Sequence, residues 1–394
     1  MKNKLLFTVA VLISTFASAN TDSTNVQINE NDTLTKREFQ VSFITPLGTN
    51  GMDYNKFENK ISLNIFAGHH GGLNGIEVGG FANSTRYDAR GIQLAGFVNI
   101  VQGKTTGTQG AGFVNYTNKL NGVQASGFCN VSKDSVEGGQ FAGFVNYAHK
   151  NVHGIQAAGF SNVVYGNLNG IQSSGFSNVA TGKVTGLQVS GFSNTAKEGI
   201  SGLQVSGFFN YAKTLKGVQV GFINYNDSIE EGLMIGFLSY SRTGYHKLEI
   251  EGNESLYGNV SFKTGVNKFY NIFSAGAKVT DNNLYWSFGY GIGSIIEINK
   301  SMGINIDLTA SHVNKDSFTS SMNLLTKLKP SFFYQFHKNF TVYGGPSINL
   351  FMNDDDTVGE DYELNNFVSN SFYNKTNNGI KVKAYFGFQG GLRF

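Results

Sequence analysis

The chain has 394 residues, with 50 glycines and 34 phenylalanines but only 3 prolines, and only 14% of its residues are charged. Few charges combined with many glycines and aromatic residues are typical of β-rich secreted or outer-membrane proteins rather than of cytosolic α/β enzymes. The formal net charge of +3 is too small to indicate a nucleic-acid-binding protein, so nucleic acid is not among the expected partners.

The N-terminus, residues 1–19, has the pattern of a secretory signal peptide. Two lysines precede an apolar run, which ends at the small-x-small cleavage site Ala17-Ser-Ala19. Residues 20–36 are polar and lack periodicity, which predicts a disordered leader. We expect residues 37–74 to form an N-terminal strand and an irregular first coil that caps the repeats, with Phe66 at the aromatic position.

The central segment, residues 75–240, contains eleven copies of the pattern Gly-aliphatic-Gln-x-(Ser/Ala)-Gly-Phe-x-Asn, with successive Phe residues 14 to 16 positions apart. A period this regular predicts stacked, nearly identical units. It also argues against an enzyme, since a repeated surface has no single privileged site. The repeat residues expected to be structural include Gly96, Phe97, Asn99, Gly112, Phe113, Asn115, Gly159, Phe160, Asn162, Gly175, Phe176, Asn178, Gly191, Phe192 and Asn194.

The favoured geometry for these units is a β-solenoid with about 16 residues per coil. In such a stack each Phe lies above the preceding Phe, and each Asn above the preceding Asn, which favours aromatic stacking and amide ladders. The Gly before each Phe would form a left-handed or crowded corner. With a rise of about 4.8 Å per coil, about eleven to twelve coils give a rod roughly 55 Å long.

Two other geometries also fit the period. In the first, every unit is a transmembrane strand of one large barrel, which would make the protein an outer-membrane channel or a handler of small molecules or lipids. Against it, neither alternating set of residues in a unit such as 170–178 is apolar. In the second, the units form a soluble antiparallel meander, in which equivalent Gln and Asn residues do not stack.

The C-terminal segment, residues 241–394, loses the 16-residue period and shows strand-like alternation instead, which predicts a small antiparallel outer-membrane β-barrel. The eight predicted strands are 245–251, 256–266, 269–279, 284–298, 302–313, 327–337, 340–351 and 379–394. A barrel of this size has an interior filled by side chains. The residues expected there as a paired polar interior are Lys263, Glu297, Asp307, Lys381 and Lys383.

The last of these strands alternates apolar and polar residues up to the end of the chain. It resembles the terminal strand of bacterial outer-membrane barrels, which predicts that Phe394, Leu392, Phe388 and Phe386 form a barrel-assembly signal. Outer-membrane lipid and the barrel-assembly machinery are therefore expected partners.

The repeat, together with the segments 245–250 and 269–276, resembles the bacterial surface-repeat proteins first noted in leptospires and frequent in Bacteroidetes. The resemblance covers most of the chain from residue 60 onwards. It implies a location at the cell surface but no assigned reaction or ligand. This chain departs from the shorter units of that family by an extra Ser or Ala before the second Gly of most repeats.

No pattern of residues indicates catalysis, a metal site or a cofactor. The seven histidines are scattered, and His69–His70, like His149 and His153, lack clustered acidic or cysteine neighbours. The single cysteine, Cys129, occupies a repeat position where other units carry Val, so we interpret it as a small apolar filler.

These observations predict a non-enzymatic outer-membrane or cell-surface repeat protein with a structural or adhesive role. Its Gln, Ser and Asn side chains would present a repeated polar face for weak multivalent contact with a glycan or a protein. An even-stranded barrel places both of its ends in the periplasm, whereas the family resemblance favours the cell surface. The two agree if a strand at 37–46 joins the barrel or one of the eight strands is false, so both locations stay open.

Overall fold

The computed structural model describes residues 34–280, 283–354, 364, 367–368 and 370–394. The predicted signal peptide and most of the predicted leader lie outside these residues. The predicted leader extends two residues too far, because Thr35 and Lys36 already belong to the first strand. The fold is all-β, with 77% strand and almost no helix.

One sheet contains the first twenty-one strands, which pair in parallel except for the antiparallel pair β1 and β2, and a short 3₁₀ helix lies at Gly51–Lys56. The strands are β1 (Thr35–Ile44), β2 (Leu47–Gly48), β3 (Phe57–His70), β4 (Gly72–Gly79), β5 (Ala82–Thr85), β6 (Ala89–Ala95), β7 (Val98–Ala111), β8 (Val114–Ser126), β9 (Cys129–Ser132), β10 (Val136–Ala142), β11 (Val145–Ala148), β12 (Val152–Ala158), β13 (Ser161–Val164), β14 (Leu168–Ser174), β15 (Ser177–Ala180), β16 (Lys183–Ser190), β17 (Ser193–Ala196), β18 (Gly199–Ser206), β19 (Phe209–Val220), β20 (Ile223–Ile235) and β21 (Leu238–Ser241).

An antiparallel second sheet contains the remaining strands, and it is called the second sheet below. These strands are β22 (Tyr245–Asn253), β23 (Gly258–Val266), β24 (Phe269–Thr280), β25 (Asn283–Glu297), β26 (Met302–Lys315), β27 (Asn323–His337), β28 (Phe340–Asp354), β29 (Tyr373–Asn377) and β30 (Ile380–Arg393).

The repeats form a β-solenoid of about 12 turns. Each turn holds a longer and a shorter stretch of strand, and both pair in parallel with the same stretch of the next turn. Gly154, for example, pairs with Gly138 and Gly170. This parallel, in-register pairing confirms the predicted solenoid. The large-barrel and meander alternatives are wrong, because both need antiparallel neighbours.

Two glycines per turn allow the coils to stack this closely. A Cβ atom on Gly159, the Gly before a Phe, would lie 2.1 Å from the carbonyl oxygen of Gly143 in the preceding coil. This position is therefore the crowded corner that was predicted. The left-handed backbone belongs to the other glycine of the repeat, such as Gly154 with φ +137°, whose Cβ would lie 1.9 Å from the oxygen of Gly138. Its role was not recognised in the sequence.

The repeated Phe residues form one continuous column. From Phe66 to Phe237 the ring centroids of successive coils are 4.6 to 5.9 Å apart, and their planes differ by at most 14°. The predicted aromatic stack is confirmed, and Phe66 extends it into the irregular first coil. Offset stacking of this kind adds to the stability given by burial alone.

Inside the solenoid, the repeated Gln and Asn residues form two hydrogen-bonded ladders. Each Gln donates from Nε2 to the Oε1 of the preceding Gln, as Gln156 does to Gln140, over 2.7 to 2.9 Å. Each Asn donates in the opposite direction, as Asn146 does to Asn162, over 2.9 to 3.1 Å. The predicted amide ladder is thus confirmed, and it supplies partners for amides in a dry interior.

The N-terminal end of the Gln ladder needs an acceptor, because every Gln donates towards the N-terminus. Glu77 occupies the Gln position in that coil and has no N–H to donate. Its Oε2 accepts a 2.7 Å hydrogen bond from Gln93, while its Oε1 lies 2.7 Å from both His70 Nε2 and Asn64 Nδ2. A carboxylate therefore terminates the ladder at the end where amide N–H groups accumulate.

The C-terminal end has the opposite need, a donor for the last free Gln oxygen. Met234 occupies the Gln position of that coil and has no N–H to offer. Asn226, from a position where other coils carry Ala, Val, Thr or Ser, donates instead to Gln219 Oε1 over 3.3 Å. Both ends of the ladder thus carry a residue that departs from the repeat.

Most of the remaining solenoid interior is aliphatic. One fully buried column comes from the residue two positions before the left-handed glycine, and it packs against a column of small residues on the shorter strands. The members include Leu120, Val136, Val152, Leu168, Val184, Ile200 and Leu215, facing Ala148, Val164, Ala180, Ala196 and Ala212. Repeating this pair in every coil gives one continuous core rather than separate small ones.

The second sheet is a chain of antiparallel neighbours from β22 to β28, followed by β30. All eight predicted strands are present, and β29 is an additional strand that pairs with β30. Residues 249–253 of β22 also pair with residues 389–393 of β30, so the first and last strands are neighbours. The strand predicted at 37–46 does not join this sheet, because β1 pairs with β3 in the solenoid.

Candidate functional site

The predicted polar face of Gln and Asn does not exist on the solenoid surface. From Gln93 to Gln219 the repeated glutamines are at most 1% exposed, and the repeated asparagines from Asn83 to Asn224 are 0% exposed. This part of the prediction is wrong, because the amides satisfy one another inside the coil stack. A ligand on the solenoid would therefore meet other side chains.

The exposed surface of the longer strands is apolar instead, and it is called the apolar face here. It consists of the aliphatic residue before each Gln, the residue after each Gln and the Phe column. Phe192 is 37% exposed and Phe222 is 48% exposed. Clearly exposed members include Ile76, Ile92, Val123, Ile155, Ile171, Leu203, Phe81, Phe97, Phe128, Phe176, Phe208 and Phe237. A contiguous apolar surface of this kind marks an interaction site rather than ordinary surface.

A shallow groove of about 890 Å³ crosses the middle of the apolar face. It exists because the residue after Gln is small in most of the central coils. The groove is lined by Gly110, Ala125, Ala157 and Ser173, among others. The neighbouring coils carry Leu94 and Val189 at the same position, so the groove is confined to the centre of the solenoid.

In one coil within the groove, the residue after Gln is large, and the residue before Gln is correspondingly small. Phe141 follows Gln140, where its neighbours are small, while Gly139 replaces the aliphatic residue before it. A Cβ on Gly139 would lie 2.8 Å from the Phe141 ring. The ring therefore covers the position of the missing aliphatic side chain and keeps the apolar face continuous.

The second sheet has the opposite polarity to a water-soluble sheet. In β30, Phe386 is 69% and Phe388 74% exposed, whereas Arg393 is only 2% exposed. In β22, Leu248 is exposed while its neighbour Glu249 is buried. The predicted alternation of the last strand is therefore present, with apolar residues outside and polar residues inside. We call the exposed side of this sheet the wall.

The buried side of the second sheet holds a network of ion pairs. Lys263 Nζ lies 2.6 Å from Asp307 Oδ2 and 3.0 Å from Glu249 Oε1. Arg393 Nε lies 2.6 Å from the same Glu249 oxygen. A second pair joins Lys329 Nζ to a carboxylate oxygen of Glu251 over 2.9 Å, so the two acids of β22 are each matched by a cation from a distant strand.

The five charged residues predicted for this interior have different outcomes. Lys263 and Asp307 are paired there, and Lys383 is buried and donates to the carbonyl of Val368 over 2.8 Å. Lys381 is half-buried. The prediction for Glu297 is wrong, because it ends β25 as an exposed residue.

Four members of the network were missed in the sequence: Glu249, Glu251, Lys329 and Arg393. A signal for them was available, since each lies in the polar set of an alternating strand. The pairing itself was not readable, because it depends on the register between distant strands.

The solenoid is attached to the wall by hydrogen bonds from its last coil. Asn271 Nδ2 donates to the carbonyl oxygen of Gly236 over 2.7 Å, and its Oδ1 accepts from the backbone N–H of Ser239 over 2.9 Å. Thr264 Oγ1 donates to the Ser239 carbonyl over 3.0 Å. These bonds lie beside the turn at 267–268, at one rim of the second sheet.

The Phe column continues onto the wall at the same place. Tyr270 points into the buried side, where it bonds to Asp307, so Phe273 projects from the outer side of β24. Phe237, the last ring of the column, meets Phe273 edge-on at 5.7 Å and stacks on Tyr290 at 4.8 Å. The apolar face and the wall therefore form one continuous apolar surface.

Packing, hydrogen bonds and one ion pair account for the surroundings of Cys129, His69 and His70. Within the described ranges, no three His, Cys, Asp or Glu residues are grouped as metal ligands. Burial lowers the pKa of His69 to about 4, and its Nδ1 lies 2.8 Å from Ser84 Oγ. Burial raises the pKa of Cys129 to about 12, and this thiol packs against Val114 and Val145, as expected for an apolar filler.

Glu77, at the end of the ladder, is a fully buried acid with a shifted pKa. Burial alone would raise the pKa of its carboxyl, but the charge of His70 and the hydrogen bonds from His70, Gln93 and Asn64 hold the pKa below its ordinary value. The pair is fully buried, with both side chains 0% exposed. We interpret the role of Glu77 as structural, since Gln93, His70 and Asn64 occupy its oxygens inside the coil stack.

Comparison with known proteins gives no indication of function, so function is inferred from the structure of the two sheets. No family model matches the chain, and no curated protein or solved structure matches it either. The resemblance to bacterial surface-repeat proteins therefore stays a prediction from the motif. In the part of the chain that the structure describes, no helix is long and apolar enough to cross a membrane.

Proposed function

We propose that this is a non-enzymatic outer-membrane protein, in which the second sheet is a lipid-embedded β-barrel and the solenoid is a rigid arm with an apolar binding face. The observation that carries the proposal is the reversed polarity of the second sheet. Its wall exposes residues such as Phe386 and Phe388, while Lys263 and Glu249 are 0–1% exposed on the other side. Strands of outer-membrane barrels have this arrangement.

The physical reason is the solvent on each side of the sheet. In water, an apolar wall of this kind would favour aggregation, and a buried ion network would be a poor substitute for an apolar core. In lipid, the same wall is solvated, and the charges are confined to the protein side. The pairing of β22 with β30 supports a closed barrel, since closure leaves no unpaired strand edge in hydrocarbon.

The terminal residue supports the proposed assembly signal. The backbone N–H of Phe394 donates to the carbonyl of Leu248 over 2.9 Å, and the Leu248 N–H points back to the Phe394 carbonyl at 3.3 Å. Phe394 thus lies at the seam where the first and last strands meet. A residue there, together with Leu392, Phe388 and Phe386, is well placed for the machinery that closes barrels.

The interior favours an anchor over a channel. Lys263, Tyr270 and Ile272 are each 0% exposed inside the second sheet, and the ion pairs cross the interior rather than line an opening. A barrel of eight strands has an interior that side chains can fill. We therefore do not favour the channel alternative.

The turns of the second sheet favour a periplasmic solenoid. The rim that carries the solenoid holds the start of β22 and the end of β30. It also holds the turns 267–268, 298–301 and 338–339. The longer connections, 316–322 and the one that follows Asp354 at the end of β28, start at the opposite rim, which also carries the shorter turn 254–257. In outer-membrane barrels short turns are periplasmic and long loops extracellular. We thus propose the periplasmic alternative over the cell surface that the family resemblance implies.

Cysteine labelling in cells tests this proposal. The native Cys129 is 3% exposed and has a raised pKa, so it leaves a low background. One variant carries Lys197→Cys in a solenoid turn, and its matched partner carries Ser320→Cys in the connection 316–322; both positions are exposed. A membrane-impermeant maleimide should label Ser320→Cys in intact cells and Lys197→Cys only after the outer membrane is opened.

The other results each overturn a defined part of the proposal. Labelling of Lys197→Cys but not Ser320→Cys in intact cells would place the solenoid at the cell surface. Recovery of the chain in the soluble fraction, without a change of gel migration on heating, would show that the second sheet is not in a membrane.

A further inference from the structure

We propose that the apolar face of the solenoid lies on the outer membrane itself, with the acyl chains of the bilayer as its occupant. This inference rests on the proposed function, because it needs the wall to be in lipid. It makes the solenoid an arm that extends sideways from the barrel along the membrane surface. The inference stands on the orientation of the last coil, on the shape of the face and on the charges beside it.

The last coil is oriented with its Phe column towards the middle of the wall. Tyr240 stacks on His246, at the beginning of β22, with ring centroids 4.5 Å apart. Phe237 instead contacts Phe273 and Tyr290, which lie further along β24 and β25 from the same rim. Going from residue 240 to 237 therefore leads from the rim into the lipid-facing wall. The Phe column is the membrane side of the solenoid.

The shape of the apolar face suits a flat surface. Parallel in-register pairing keeps every column straight from coil to coil, and about 12 coils rising about 4.8 Å each give a face roughly 58 Å long. Its central groove, floored by residues such as Ala125 and Ala157, has few polar groups to recognise a specific ligand. A fluid apolar phase can fill such a groove without a directed contact.

Charged side chains lie along the edge of the face that is distant from the Phe column. These residues lie one or three positions before the left-handed glycine in some of the coils, and they are the cations Arg90, Lys104, Lys119, Lys183 and Lys216 and the acids Asp88 and Glu137, with Glu231 beside Lys216 in the next coil. Glu137 is paired with Lys119 at 3.5 Å. An apolar surface bordered by more cations than acids suits the headgroup and acyl boundary of anionic membranes.

Lipid is favoured over a second copy of the chain because the apolar face of the solenoid starts directly at the wall. The rings of Phe237, Phe273 and Tyr290 belong to the face and to the wall at once. Anything that covered the adjacent coils would have to displace lipid from the wall. A bilayer can cover the wall and the apolar face together, whereas a protein partner on the apolar face would have to meet the lipid at an edge between the two.

Tryptophan quenching tests the inference on the full chain in vesicles. The vesicles contain phosphatidylcholine and phosphatidylglycerol with brominated acyl chains, which quench Trp only on contact. The native Trp286 lies on β25 and reports on the second sheet. In a Trp286→Phe background, Phe176→Trp and Ile171→Trp place the reporter on the apolar face, and Tyr165→Trp places it at a solenoid turn, where Tyr165 is 53% exposed.

We expect Phe176→Trp and Ile171→Trp to lose as much fluorescence as Trp286 does, and Tyr165→Trp to lose none. If Trp286 is quenched but neither face variant is, the inference fails while the proposed function stands. If Trp286 itself is not quenched, the proposed function fails first. A face reporter that is unquenched in a chain eluting as a dimer would show that a second copy covers the face instead.

Discussion

The solenoid and the second sheet both expose an apolar face and bury polar side chains behind it, but they pair those polar side chains differently. In the solenoid, Gln156 bonds to Gln140, 16 residues away, and the same bond recurs in the next coil. In the second sheet, Arg393 bonds to Glu249, 144 residues away, and no other pair repeats that contact among the described residues. The polar pairs of the solenoid are neutral and repeat from coil to coil. Those of the second sheet are charged and differ from one another.

This difference determines how far the effect of a substitution extends from its site. A solenoid coil contacts only its neighbours, so the loss of one rung stays local. The ion network joins β22, β23, β26 and β30 through one carboxylate and one ammonium, so the loss of one member affects the whole second sheet. Three substitutions test the comparison, beginning with the largest expected effect.

Lys263→Met should destabilise the second sheet by about 3–5 kcal/mol, because it leaves the buried carboxylates of Glu249 and Asp307 without their shared cation. The measurement is urea unfolding of the chain in vesicles, followed by the fluorescence of Trp286. Lys268→Met, in the exposed turn 267–268, is the matched control and should behave like the wild type. Equal unfolding midpoints for the two variants would mean that the network does not hold the sheet together.

Gln156→Leu should cost about 2 kcal/mol, because it leaves Gln140 Oε1 without a donor and Gln172 Nε2 without an acceptor. Hydrogen exchange should show faster amide exchange in the coils around residues 136–180 and no change in the second sheet. Asn169→Leu, an exposed change in the next coil, should leave both regions protected. Faster exchange in the second sheet would contradict the modular interpretation of the solenoid.

The same contrast explains what the sequence could predict. Stacking of like residues follows from the period alone, so the solenoid, the Phe column and the amide ladder were predictable. Alternation divides Ile171 and Gln172 between two faces but does not say which face is interior. Hydrophobicity would place Ile171 inside, and the cooperative bonding of successive Gln residues places Gln172 there instead.

In the second sheet, alternation was sufficient for the strands and for the outward direction of Phe386 and Phe388. It was not sufficient for the pair Glu249–Arg393, because that contact depends on the register at which the first and last strands meet. Glu77 is an intermediate case. It was visible as the one acid at a Gln position of the repeat, but its meaning depends on the direction in which the ladder donates.

Glu77→Gln tests that direction, and it should have the smallest effect. The substitution replaces one acceptor oxygen by an NH₂ group among donors from Asn64, Gln93 and His70. We expect a local loss of about 1 kcal/mol at neutral pH, seen as faster amide exchange in the first coils, residues 57–101. Glu137→Gln, which changes an exposed acid to the same residue, is the control and should leave that exchange unchanged.

The pH dependence of this variant sharpens the test. The folded-state pKa of Glu77 lies below its ordinary value of 4.5, so the wild type binds fewer protons folded than unfolded at intermediate pH. The carboxylate therefore contributes stability that is fully present above pH 4.5 and is lost as the pH falls through the lower folded-state pKa. The difference in exchange between wild type and Glu77→Gln should shrink in that acidic window, with both proteins compared at each pH. A difference that stays constant would show that a charged acceptor is not what ends the ladder.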